Sequence, residues 1–208
     1  MRSAHLRDLC TSYRRTRLLD MGCGTGWQLF ALADRLQEGV GIDISPAMVE
    51  WARISARERG LEDRLSFHVL AAEEVCRKRL GKFDVVLFIG SLEHMSDAHL
   101  SLARAAEVLQ PAGAVVLDMV HPWHPRSFYA RFAARRGAIP AFHHLTPGTL
   151  RRCAAAAGLS PADPFSANSL REVSEFGRLK HQALQGLLAP AVWGSYVAVF
   201  GPNLQELE

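Results

Sequence analysis

The sequence predicts an α/β fold, a doubly wound and mostly parallel sheet with helices on both faces. Three observations carry that expectation. Short apolar runs rich in β-formers alternate with segments of helical period. One such run, FDVVLFIG (Phe83–Gly90), is apolar on both faces, as a strand covered on each side by helices must be. The stretch RLLDMGCGTGWQL (Arg17–Leu29) leads a strand through three alternate glycines directly into a helix.

Taken in order, RLLDM is the first strand, and Leu29, Leu32, Ala33 and Leu36 follow at the i, i+3, i+4, i+7 spacing of one helix face. GVGID (Gly39–Asp43) is the second strand, after which Ser45 supplies an N-cap and Pro46 a first-turn proline for a helix that Gly60 closes. RLSFHVL (Arg64–Leu70) and FDVVLFIG are the third and fourth strands. Leu102, Ala105, Ala106 and Leu109 mark the next helix face, and QPAG turns the chain into AVVLDMV (Ala114–Val120), the fifth strand. From His121 to Pro140 the rhythm breaks into proline turns, aromatics and a basic helical piece. TPGTLRRCAAAAG then restores it: Thr146 caps, Pro147 opens, Leu150, Cys153, Ala154 and Ala157 share a face, and Gly158 terminates. Ser169–Leu188 reads as a helix and WGSYVAVF (Trp193–Phe200) as the last strand. No internal repeat or low-complexity tract interrupts this order.

With 208 residues, 49% of them hydrophobic and 22% charged, the chain has the composition of one globular domain large enough to bury a core. The net charge of +3 comes from basic residues scattered in pairs and triplets, so nucleic-acid binding is permitted but not indicated. Cys10, Cys23, Cys76 and Cys153 lie far apart with no C-x-x-C pair, against both a zinc site and a disulfide framework, and a reducing cytoplasm fits best. No signal segment and no apolar run of the roughly 18 residues a membrane span needs is present, so a cytoplasmic protein with no membrane partner is expected. The terminal Leu207–Glu208 reads as an expression scar and is left out of functional reasoning.

A strand entering a helix through glycines presents free backbone N–H groups and a partial positive charge to whatever lies across the strand's carboxyl end. Gly22, Gly24 and Gly26 remove the side chains that would block the approach. The spacing is G-x-G-x-G; the dinucleotide fingerprint wants its third glycine where Trp27 stands, which counts against a nicotinamide cofactor. Asp43 ends the second strand, where a carboxylate accepts hydrogen bonds from both ribose hydroxyls of an adenosine lying over the sheet.

LLDMGCGTG, GIDIS, FDVVLFIGSLEHM and AAEVLQPAGAVVL, in this order and spacing, resemble the class I S-adenosylmethionine-dependent methyltransferases, closely from Leu18 to Val120 and more loosely through HHLTPGTLRRCAAAAGL. The resemblance implies a Rossmann-like sheet with an antiparallel last strand and a single methyltransferase domain over residues 1–206. It has a short N-terminal segment (1–16) and a substrate-side insert (121–145). S-adenosyl-L-methionine is the implied cofactor and S-adenosyl-L-homocysteine the product. Asp20 and the turn Gly22, Cys23, Gly24 and Gly26 are implied to hold the methionine portion, Asp43 the ribose, and Ile44 the adenine face, with Ile89 at the end of the fourth strand also on the cofactor side. Relatives carry an acidic residue for the adenine amino group where this chain has Ala71. The backbone N–H of Ala72 remains a candidate for the ring, Glu73 a candidate replacement, and a looser grip on the cofactor is expected.

Methyl transfer from a sulfonium needs alignment and exclusion of water first; a base helps when the acceptor is a hydroxyl. Ser91, Glu93 and His94 follow the fourth strand and His121, Trp123 and His124 the fifth, at the edge where open α/β sheets bind ligands. His121 and His94 are the catalytic candidates, with His121 the better placed; His94 reads first as a histidine hydrogen-bonded under the cofactor at a helix start, and His143 and His144 read as loop residues. Trp123, Phe128, Tyr129 and Phe142 are positioned to wall an acceptor or simply to pack. Ubiquinone-pathway O-methyltransferases, which the chain also resembles, carry a metal-binding glutamate where Gly90 stands, and Glu93 with His94 alone is a poor metal site, so no metal is expected. The expected partner is a small organic acceptor methylated at oxygen or nitrogen. An RNA or protein substrate facing YRRTR, RFAARR and LRR, or a degenerate cofactor-binding regulatory module, are the alternatives. A second subunit, forming a homodimer, is one way to close the site.

Overall fold

The computed structural model describes residues 16–120, 125–137, 142–143, 145–161 and 195–202. The elements are β1 (Thr16–Met21), α1 (Trp27–Leu32), β2 (Leu36–Asp43), α2 (Pro46–Glu58), β3 (Leu65–Val69), α3 (Arg77–Leu80), β4 (Phe83–Ile89) and α4 (Ala98–Glu107). They continue with β5 (Leu109–Val120), α5 (Pro125–Arg135), α6 (Pro147–Ala156), β6 (Leu159–Pro161) and β7 (Ser195–Pro202), and three 3-10 turns lie at Ala33–Arg35, Ala72–Glu74 and Leu92–His94. The expected helix Ser169–Leu188 lies outside the described residues, as do His121, Trp123, His124 and His144.

The strands form one sheet in the order β3-β2-β1-β4-β5-β7-β6. β1 to β5 pair in parallel, and β7 runs antiparallel to β5 and to β6. The order reverses between β1 and β4, which places the topological switch point, and the crevice that comes with it, at the carboxyl ends of those two strands.

Period-two alternation splits each central strand between two cores. Leu19, Met21, Val86, Phe88, Val115 and Leu117 face one side, under α4 and α6. Leu18, Val85, Leu87 and Val116 face the other, under α1 and α2. The helix starts follow the capping residues: Ser45 Oγ accepts from the Met48 N–H at 3.4 Å, Asp97 Oδ1 from Leu100 at 2.9 Å, and Thr146 Oγ1 from Thr149 at 3.1 Å.

Three boundaries differ from expectation. Leu36 and Leu109 were expected on helix faces, but each opens a strand. α1 ends at Leu32, because Thr16 offers Leu36 a pairing partner and β2 extends as far as β1 reaches. Leu109 likewise pairs with Phe83, and QPAG forms an outward bulge before Ala114 pairs with Val85, so the expected turn lies inside β5. β6 has three residues and exists through its pairing with β7, from Leu159 opposite Pro202.

Leu87 is fully buried between β1 and β5 partners. Leu87→Ala is therefore expected to lower stability by about 2–5 kcal/mol, read as a reduced urea midpoint.

Candidate cofactor and acceptor site

The glycine turn hangs from the end of β2. The N–H groups of Gly22 and Cys23 both donate to the Ile42 carbonyl, at 2.8 and 2.9 Å, and the Gly26 N–H folds back to the Cys23 carbonyl at 2.9 Å. Gly26 then accepts the first helical bond, from Phe30 at 3.1 Å. All three glycines have positive φ, at 82°, 52° and 80°. Their surroundings differ. A Cβ on Gly22 would lie 2.6 Å from Ser91 Cβ, and one on Gly26 2.8 Å from the Phe67 ring, whereas one on Gly24 would have no atom within 4 Å. Open space above the backbone is thus the property of Gly24; Gly22 and Gly26 let β4's loop and β3 pack against the turn.

Asp43 fixes the geometry from the other side. Its Oδ2 accepts from the Gly24 N–H and its Oδ1 from the Ser45 N–H, each at 2.9 Å. Each carboxylate oxygen keeps a further lone pair for a hydroxyl. Asp20 lies below, 1% exposed, and its Oδ2 has no hydrogen-bond partner. Burial first, and then the charge of Asp43, push the Asp20 carboxyl up to about 7. Burial, followed by the same two carboxylates, also pushes the Cys23 thiol upward, so it fills space as a thiol and is no nucleophile.

A cleft of about 360 Å³ opens here, within the usual range for small-molecule sites. Gly22, Asp43, Ile44 and Ala72 line one part and Gly90, Ser91 and His94 another. Ile44 is 63% exposed, an apolar side chain held against solvent beside Asp43. Ala72 is buried at the head of a 3-10 turn, where the first N–H groups have no partner within the turn. Glu73 is committed elsewhere: its Oε1 accepts from Ser96 Oγ at 2.8 Å and from the Asp97 N–H at 2.9 Å. Burial raises its carboxyl, but these bonds outweigh burial and hold it below the usual range. Glu73 thus ties its turn to the start of α4 and does not stand in for the acid absent at Ala71. Ile89 is half-buried one residue before Gly90, whose φ is +65° and whose Cβ position is open.

On the acceptor side His94 is exposed on the cleft wall, its ring edge-on to Phe142 with centroids 5.4 Å apart at 63°. The Glu93 carbonyl accepts from the His143 N–H at 2.7 Å, which binds the segment before α6 to this turn. Ser91 has a structural duty, donating its hydroxyl to the Met21 carbonyl at 2.6 Å. Of the described aromatics expected to wall an acceptor, Phe142 stands against His94, and Phe128 and Tyr129 are 49% and 74% exposed on α5. Leu70 and Met95 also line the cleft. Sequence reasoning missed them, although Met95 directly follows His94 and Leu70 directly precedes Ala71. Among the described residues no group of three His, Cys, Asp or Glu side chains could hold a metal ion.

The reversal of strand order under a glycine turn clasped by an acidic strand end defines the class: this is a class I S-adenosylmethionine-dependent methyltransferase. Residues 13–155 match the family described as "Methyltransferase domain", and the chain belongs to it. Curated relatives include the ubiquinone biosynthesis O-methyltransferases of Aromatoleum aromaticum, 30% identical over 77% of this chain and 72% of that one, and of Bordetella avium, 28% identical over 78% and 69%. Among solved structures the fold is shared with a geranyl diphosphate methyltransferase (TM-score 0.69, 17% identity, 97% of this chain and 84% of that one). It is shared too with the magnesium protoporphyrin IX methyltransferase of Synechocystis (0.65, 17%, 96% and 80%). The residues fit the cofactor: a buried, unpartnered carboxylate oxygen on Asp20 suits its ammonium, and the open faces of Gly24 and Gly90 leave room for it.

Two predictions follow from this geometry. Gly22→Ala is expected to unfold at lower urea because of the Ser91 clash, while Gly24→Ala, strained only by its φ, should keep most of the stability and lose cofactor binding in calorimetry. Asp20 keeps its proton between its unfolded value near 4 and about 7, so the folded protein loses stability as pH rises through that window. Asp20→Asn should therefore stabilise the cofactor-free protein at pH 8 by on the order of 4 kcal/mol, read as a raised Tm, with the gain vanishing near pH 4, and weaken cofactor binding at both pH values.

Proposed function

We infer that this enzyme methylates an oxygen atom of a small organic acceptor, with nitrogen as the second choice, and that His94 receives the acceptor's proton. The exposed imidazole on the cleft wall, braced edge-on by Phe142, is the observation that carries this reading. The relatives' names supply the preference for oxygen. S-adenosylmethionine supplies a methyl group on a sulfonium, already activated for displacement.

The chain's residues divide the remaining work. Asp20 and the Gly22–Gly26 turn, with Cys23 as filler, would hold the methionine end, Asp43 the ribose, and Ile44 and the Ala72 N–H the adenine, with Ile89 supporting Gly90 from the end of β4. His94 accepts a hydroxyl proton as the acceptor oxygen becomes nucleophilic. His121 is the other base candidate by its place after β5. The donor set supports a reaction without a metal, because Gly90 offers no ligand beside Glu93 and His94. Residues 121–145 form the acceptor-side insert of one domain over 1–206.

The test is calorimetric titration with S-adenosylmethionine and S-adenosylhomocysteine, followed by turnover of a panel of phenols and amines. Asp43→Ala should weaken cofactor binding by about tenfold or more, since each charge-assisted hydrogen bond lost is worth about 1.5–3 kcal/mol. His94→Gln should leave cofactor affinity unchanged and lower kcat on a phenol by about 10²-fold or more. Cofactor binding with no turnover of any acceptor would replace the enzyme reading with a regulatory module. Undiminished kcat in His94→Gln would move the base role to His121.

A further inference from the structure

Helix α5 is built inside out. Its inward positions are small: Ala133 is 7% exposed, and Ala130 and Ala134 are half-buried beside it. Its outward positions carry the large side chains, with Phe128 49%, Tyr129 74% and Phe132 53% exposed. At about 100° per residue these three share one side of the helix, flanked by Arg131 and Arg135. The charge along this stretch of the chain has one sign. From Met119 to Ala162 the chain contains no Asp, Glu or Lys, but it contains six arginines. A face that joins aromatic area to uncompensated positive charge complements a surface that is apolar within and anionic at its boundary.

We propose that α5 is an interfacial helix that lies on an anionic lipid surface, with Phe128, Tyr129 and Phe132 in the headgroup region and Arg131, Arg135 and Arg136 on lipid phosphates. Crossing is not involved: no helix among the described residues is long and apolar enough to span a membrane, and the 11 residues of α5 extend about 16 Å. RNA fits this face less well. The Arg136 guanidinium already lies 4.2 Å above the Phe132 ring, on the surface a base would stack against, and Phe128 and Phe132, one turn apart, merge into a single apolar strip. α5 begins five residues after β5 ends, so the surface contact forms near the carboxyl edge of the sheet where the cleft opens, and an acceptor dissolved in the lipid has a short path to it.

The test is co-sedimentation of the full chain with vesicles of mixed phosphatidylglycerol and phosphatidylcholine, against vesicles of phosphatidylcholine alone. Binding to the anionic vesicles is expected, weakened by added salt. It should fall about tenfold or more both in Phe128→Ser/Phe132→Ser and in Arg131→Gln/Arg135→Gln. Unchanged calorimetric binding of S-adenosylhomocysteine shows that each variant is folded, and it is a separate readout from the proposed acceptor chemistry. Absence of sedimentation with anionic vesicles overturns the proposal. So does a loss confined to the arginine variant, which is adsorption of a polyanion by charge alone, or tighter retention of poly(U) than of vesicles. A lipid-free dimer dispersed by the phenylalanine variant would assign the face to a second copy of the chain and overturn it equally.

Discussion

The clasp of Asp43 on the Gly24 N–H is the interaction on which the site depends. One carboxylate, at 2.9 Å from the backbone N–H of Gly24 and of Ser45, joins the turn after β1 to the helix start after β2. Both N–H groups belong to segments leaving the sheet, where no strand partner can satisfy them. Without that carboxylate the glycine turn would keep its bonds to Ile42 but lose the restraint at Gly24, whose Cβ position meets open space.

Two further ties hold the same edge. The Ser91 hydroxyl reaches the Met21 carbonyl, and the Gly90 N–H reaches the Asp118 carbonyl, so β1, β2, β4 and β5 are laced together where each runs out of pairing partners. Irregular backbone at a sheet edge is thereby made rigid enough to position a ligand, and the positive φ of Gly22, Gly24 and Gly90 is the conformational requirement for doing so. Asp20 shows the opposite economy. A carboxyl buried beneath the turn with one oxygen unpartnered works against the stability of the empty protein, and that sacrifice has a purpose only if a cationic or donor group arrives.

The acceptor side is organised differently. His94 and Phe142 stand on short segments after β4 and before α6, tied to each other by the bond from the His143 N–H to the Glu93 carbonyl. The groups proposed for the cofactor stand on the sheet edge and those proposed for the acceptor on loops, which is the division expected of a scaffold that keeps one cofactor and changes its substrate.

By itself the sequence determined the alternation of strands and helices, the capped starts at Ser45 and Thr146, the glycine turn and its acidic partner, because each of these is a local matter of period, cap chemistry or backbone conformation. The tertiary structure decided what distance along the chain conceals. Leu36 and Leu109 fall at helix-compatible spacings yet belong to strands, since Thr16 and Phe83 lie ready to pair with them. The three glycines look alike in sequence, yet two are required by Ser91 and Phe67 and one faces open space. Glu73 reads as a free acid near the adenine, but Ser96 and Asp97 occupy it. The aromatics of α5 read as core or acceptor wall, and the alanines beneath them turn them outward. In each case the deciding partner lies far along the chain, and only folding brings it close.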